Sequence, residues 1–265
     1  MAITTVDGLI AGAQPPRSFK KANSPTLVIG REWTPLYTAG IPGPAVANAT
    51  GMSGAALTSY LGQIPFTNPG AGNTYLGRLA AFCTQYGSIA LYDRLWHQSG
   101  INLTLTTSQT INSAALPARD VDGATAGNQV IAALEFSATG GAGTPTLTLG
   151  YTNSAGTAGR TANLIQAATA TPGQGFMFFF GLQAGDVGIQ SIQTYQQSAT
   201  WTSGTAHLVL LRKLAQFETG PNAASIDAVR ASMSRMHDNC VPQLVWTPAA
   251  TTAMSLDGTV SVHQG

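Results

Sequence analysis

The densest group of chemically able side chains in this 265-residue sequence is Asp93, Arg94, Trp96 and His97. An acid and an imidazole this close could form an acid–base pair. On a strand, however, side chains alternate, so Asp93 and His97 would share a face with another same-face residue between them. That spacing is long for a direct hydrogen bond, and no second acid or nucleophile accompanies them. We read Asp93 and Arg94 as a structural pair at a surface or an interface.

Other chemical signatures fall short for stated reasons. Asp120-Val121-Asp122-Gly123 opens like a calcium loop, but residues 124–128 supply neither the further oxygen ligands nor the late bidentate Glu. An Asp-Gly turn explains it. The glycine-rich stretch 68–75 lacks the Lys-Ser/Thr pair that holds phosphate and Mg²⁺. The four histidines show no ligand spacing. His207, inside an apolar run, reads as a satisfied core histidine. No catalytic residue, metal site or cofactor is expected. Cys83 and Cys240 are the only cysteines. Two buried thiols is the favoured reading, and one long-range disulfide stays open.

Arg17, Phe19, Lys20 and Lys21 form a basic-aromatic patch. The net charge is only +1, and phosphate affinity grows with the number of cations engaged. Three cations on a neutral chain make direct nucleic-acid binding a poor reading, so the patch is assigned to protein contact. Trp33, Leu36 and Tyr37 join it as candidate partner-contact residues, because they are apolar pieces in a segment too proline-broken for regular structure.

Three zones would position these groups. Residues 1–87 read as an extended proline-rich arm wrapping its own body or a neighbour. One short helix is predicted at 74–84, where Leu76, Leu79, Ala80 and Cys83 fall at i, i+3, i+4 and i+7. Deleting residues 1–37 is then expected to abolish partner binding without unfolding the body. Residues 88–217 have a β rhythm, with strands predicted at 88–95, 102–107, 129–136, 144–151, 161–167, 175–182, 190–195 and 206–214. Turn signals separate them. Leu147, Leu149 and Tyr151 alternate onto one face, and the last strand reads as buried on both sides for most of its length. About eight such strands predict a mainly β fold: an antiparallel β-sandwich or jelly roll. Residues 218–265 read as a C-terminal helix and polar tail. The helix is drawn from Ile226, Val229, Met233 and Met236, capped by Asn222 or Ser225. An edge strand is predicted at 243–246.

Charged residues make up 9% of the chain, against about 25% in a typical soluble domain. At 44% hydrophobic the chain can still bury a core. Its longest apolar run, 175–182, is too short to cross a bilayer. Residues 1–15 lack a basic region followed by a long apolar run, so no signal peptide is expected. A surface so poor in charge repels its own copies weakly, which suits assembly.

Several stretches carry a resemblance. They are Ala55-Ala-Leu-Thr-Ser-Tyr-Leu-Gly-Gln-Ile-Pro-Phe-Thr-Asn-Pro, Leu91-Tyr-Asp-Arg-Leu-Trp-His-Gln-Ser-Gly100, Thr110-Ile-Asn-Ser, and Tyr151-Thr-Asn-Ser-Ala-Gly-Thr-Ala-Gly-Arg-Thr161. The chain resembles virion structural proteins of tailed bacteriophages over most of its length, in local phrases rather than in a catalytic motif. The resemblance implies a non-enzymatic particle component made in the host cytoplasm and located in the virion. Head decoration (cement) protein is the first expectation, with the major capsid protein or other virion subunits as partners and a homotrimer as its state. A tail, collar or baseplate component is the alternative. A carbohydrate-binding module for host attachment is a third, using exposed Trp201 or Tyr195 to stack on a sugar.

Overall fold

The computed structural model describes residues 3, 5–47, 54–227 and 234–265. Helix α1 (Val6–Ala11) starts at Thr5, whose hydroxyl accepts from the Gly8 amide. The first segment continues with β1 (Arg17–Lys21), a 3-10 turn at Pro35–Tyr37, β2 (Gly40–Ile41) and β3 (Ala55–Ala56). Next come β4 (Thr74–Cys83), β5 (Gly87–Ile101), β6 (Gln109–Thr110), β7 (Val130–Ala138), β8 (Leu147–Asn153) and β9 (Arg160–Leu164). The chain closes with β10 (Met177–Gly181), β11 (Ile189–Gln197), β12 (Thr205–Thr219), β13 (Ala224–Asp227), β14 (Arg235–Met236), β15 (Pro242–Pro248) and β16 (Leu256–Gln264).

Among the described residues these strands form two antiparallel sheets, so the fold is mainly β as expected. The larger runs β15-β5-β12-β7-β10-β9-β8-β11-β6, with β3 also on β5. The smaller runs β13-β4-β16-β1-β2, with β14 also on β4. The long central strands β5 and β12 are buried along most of their length, the pattern of strands covered on both faces. In β8, Leu147, Leu149 and Tyr151 are all buried with their neighbours less so, matching the alternation in the sequence. Strand 243–246 lies at the sheet edge within β15. Of the predicted stretch 102–107, no residue belongs to a strand.

Both predicted helices need correction. Residues 74–83 form β4, paired with β16 from Cys83↔Leu256 to Thr74↔Gln264. The register shifts between Ser261 and Val262, which face Arg78 and Leu76, so Gly77 is the extra residue of a β-bulge. The bulge turns Leu76 onto the side of Leu79, Ala81 and Cys83, all buried. A three-residue spacing that imitates a helix is therefore alternation interrupted once. The second helix fails at both described ends. Ala224–Asp227 pairs with β4, opposite Ala81 to Arg78, and Arg235–Met236 pairs with Tyr75 and Thr74. The second edge of β4 holds unpaired N–H and C=O groups, and these segments satisfy them. Val229 and Met233 lie outside the described residues.

The proline-rich segment lies along its own chain. β1 pairs with β16, and Trp33 bridges to Trp246 and Phe176. Its apolar side chains fill the core beside Phe136, Phe178 and Trp201, which meet at angled or edge-on ring contacts. Deleting residues 1–37 would strip out β1, Trp33, Leu36 and Tyr37, all packed or paired within this chain, so that change is expected to destabilise the body. Cys83 and Cys240 are buried free thiols.

Candidate functional site

Strand β5 carries the polar cluster, and its geometry differs from simple alternation. Trp96 faces Leu210 on β12, but Arg94 faces Leu211, so Leu95 is an extra residue. This bulge brings Arg94, rather than Asp93, onto the side of His97 and Ser99. The expected Asp93–Arg94 pair does not form. The two side chains take different partners on opposite sides of the strand.

On one side, Arg94 is fully buried against Glu135 of β7. Its Nη1 donates to Oε2 at 2.7 Å and to Oε1 at 2.9 Å, and also to Gln243 Oε1 at 2.9 Å. Tyr37 Oη donates to Glu135 Oε1 at 2.7 Å, and Gln243 Nε2 donates to Oε2 at 2.8 Å. The Tyr60 ring lies 4.3 Å from the Arg94 guanidinium carbon. Burial alone would raise the Glu135 carboxyl, but the Arg94 charge and hydrogen bonds hold it below its ordinary value. Burial likewise opposes charge on Arg94, and Glu135 outweighs it.

A chain of contacts extends from this pair. Arg94 Nη2 lies 2.8 Å from His97 Nδ1, His97 Nε2 lies 2.7 Å from Ser99 Oγ, and Ser99 Oγ lies 3.0 Å from His207 Nδ1. A guanidinium has only donors, so His97 Nδ1 must accept and its proton sits on Nε2. Nε2 therefore donates to Ser99 and has no lone pair to take the serine proton. His207 can accept from Ser99, but burial lowers its pKa to about 4. Ser99, His97 and His207 are all buried. The Ser–His contact has the distance of a nucleophile and base without the tautomer or the access.

On the other side of β5, Asp93 lies 3.5 Å from Arg119 Nε and 3.9 Å from Arg212 Nη2, and its Oδ1 accepts from the Val241 amide at 2.9 Å. The nearby Asp120 is a loop organiser. Its carboxylate accepts from the amides of Asp122, Ala124, Gly127 and Asn128. That agrees with a turn rather than a calcium loop. Among the described residues, no three His, Cys, Asp or Glu side chains are grouped to hold a metal.

The other sequence candidates fall in different places. Phe19, Trp33, Leu36 and Tyr37 are buried within this chain. Their apolar surface is already covered, which corrects their assignment to partner contact. Lys21 is buried too. Its Nζ donates to the Pro42 carbonyl at 2.7 Å and the Thr38 carbonyl at 3.3 Å, and burial lowers it to about 8. Lys20 is exposed, 3.9 Å from Asp257, and Arg17 is half-buried, so the basic patch is divided. Trp201 and Tyr195 are fully buried, so neither can stack on a sugar.

Two sites were missed by reading the sequence. One is the Glu135 centre, whose members come from β5, β7, β12, β15 and the Pro35–Tyr37 turn. The other lies at a hairpin end, where Arg160 grips Asp186 with two hydrogen bonds of 2.9 Å, joined by Tyr151 and Asn153. These bonds hold the Asp186 carboxyl well below its ordinary range. The sequence singles out Arg94, His97 and Tyr37 but not Glu135, a lone acid in an apolar strand, and nothing in it links Arg160 to Asp186.

No family model matches the chain, and no curated protein does. Among solved structures, it is similar at 10% identity to the infectious bursal disease virus VP2 subviral particle, covering 96% of this chain and 81% of that one, with a TM-score of 0.21. Infectious bursal virus-derived T=1 particles give 10% identity, 96% and 79% coverage, and a TM-score of 0.19. At such TM-scores the likeness carries no argument. Among the described residues, no helix is long and apolar enough to cross a membrane.

Proposed function

We propose that this chain is a non-enzymatic structural subunit of a virion, and within that class a bacteriophage head decoration or cement protein. The observation that carries the reading is the character of its surface. Charged residues are 9% of the chain, and large apolar side chains stand in water. Val6 and Ile10 are 72% and 67% exposed, one turn apart on α1. Ile29 and Ile165 are 61% and 65% exposed, on segments tied by the Gln166–Gly30 hydrogen bond. Val46 and Leu61 are 60% and 65% exposed, on the walls of a cleft of about 430 Å³. Single exposed apolar residues need no explanation, but paired ones suit surface that neighbouring subunits cover.

The non-enzymatic part rests on the fixed tautomer of His97 and the burial of Ser99. The jelly-roll reading of the two sheets, a homotrimeric state, major capsid protein as partner, and a place in the virion after synthesis in the host cytoplasm belong to the same proposal. Quantitative gel densitometry of purified particles tests it. Copies of the order of hundreds per particle are expected for a head protein. A few copies located at the tail vertex would instead favour a tail, collar or baseplate component, and absence from the particle would end the virion reading. Val46→Asp with Leu61→Asp is expected to weaken particle binding without changing the melting temperature.

A further inference from the structure

A separate cleft of about 350 Å³ opens beside Leu57 and Thr58, between the loop 117–123 and the turn 237–239. Its wall includes two side chains that are almost wholly buried, Arg119 at 3% and His237 at 5% exposure. Arg119 is anchored from behind: Nη2 donates to the Arg94 carbonyl at 3.2 Å, and Nε lies 3.5 Å from Asp93. Its Nη1 has no hydrogen-bond partner, and neither has His237 Nε2. A buried guanidinium N–H without an acceptor is costly, and so is an idle imidazole nitrogen. Nothing in the Glu135 centre or the proposed capsid role uses either group.

We propose that this cleft binds a small oxyanion, a carboxylate or a phosphate, between Arg119 Nη1 and His237 Nε2. The charges around it define what fits. Arg119 and His237 form the inner wall, with Arg212, Asp93 and the backbone-bound Asp120 behind them. Arg235, Asp122 and Asp238 also line the cleft, and all three are exposed. The acids Asp122 and Asp238 repel a bulky polyanion, so only a group small enough to pass them reaches the inner donors. Burial, aided by Arg212 and Arg235, lowers the His237 pKa, while its hydrogen bond to the Asp120 backbone opposes that shift. The imidazole is therefore neutral at pH 7 in the empty cleft. An anion beside Nε2 favours the imidazolium, so binding takes up one proton from solvent onto that nitrogen. Two charge-assisted hydrogen bonds, from Arg119 and from His237, then hold the oxyanion.

The test is a titration of the full chain with sodium acetate or inorganic phosphate, read by the amide resonances of Gly123 and Asn239. Acetate stands for a carboxylate side chain on another protein, and phosphate for a free anion. Saturable shifts at these amides are expected, and the probe that binds identifies the source. Acetate is ionised throughout, so its affinity should be higher at pH 6 than at pH 8 because His237 must gain a proton. Arg119→Lys keeps a cation beside Asp93 and should weaken binding roughly tenfold. His237→Phe should abolish the pH dependence, and it serves as the informative variant if Arg119→Lys does not fold. Absence of saturable shifts with both probes overturns the proposal. So do shifts confined to the Arg17–Lys21 strand, or affinities unchanged in both variants.

Discussion

Arg94 donates to Glu135 at 2.7 Å, and neither side chain has any exposed surface. The pair sits where β5, β7 and β15 meet the Pro35–Tyr37 turn, so it ties the early segment to the large sheet through Tyr37 and Gln243. Two buried charges are costly to desolvate, and their mutual attraction, with the hydrogen bonds made by both Arg94 Nη atoms and both Glu135 oxygens, offsets that cost, although Arg94 Nε has no partner.

Removing one partner should therefore be worse than removing both. Glu135→Leu leaves Arg94 charged in an apolar site and should cost about 3–5 kcal/mol of stability. The double change Arg94→Met with Glu135→Leu should be much milder, because no charge is then left without its partner. Urea denaturation of the wild type, both single variants and the double variant closes the cycle. A double variant as unstable as the sum of the singles would show that the pair is not coupled.

Acid should weaken the fold through the histidines before it reaches the carboxylates. Burial lowers His207 from 6.5 to about 4, and burial with the Arg94 charge lowers His97 further. Between about pH 6.5 and 4 the unfolded chain binds more protons than the folded one, so stability rises with pH across that window and falls on acidification. Denaturation midpoints measured from pH 7 to 4 should decline, and His207→Gln should flatten the slope. A slope unchanged in that variant would place the titrating group elsewhere.

The bulge at Gly77 should admit no side chain. A Cβ there would lie 2.1 Å from His263 Cδ2 on the paired strand. Gly77→Ala should lower stability by about 1–3 kcal/mol through that overlap. His263→Ala should restore most of the loss in the double variant, although it also removes the Nδ1 contact with the Leu9 carbonyl. Thermal melts of the two single variants and the double variant measure this. Equal loss with and without His263 would mean that the backbone, not the ring, resists the change.

Some of this protein was legible in its sequence because the signal was local. Alternation along residues 147–151 and the apolar run at 206–214 put those strands in place, since a pleated strand exposes every second side chain to one environment. Low charge was equally plain. What only the tertiary structure decided depends on bulges and partners. One extra residue at Leu95 swaps which of Asp93 and Arg94 faces His97. Another at Gly77 makes a strand look like a helix. The second edge of β4 claims residues 224–227 that a helical pattern would have kept. A bulge changes side-chain phase through hydrogen bonds to a distant strand, and a free edge recruits its partner across more than a hundred residues. The low charge that marks the sequence is therefore a property of the surface, while the few charges it retains inside are placed by the register of strands far apart in the chain.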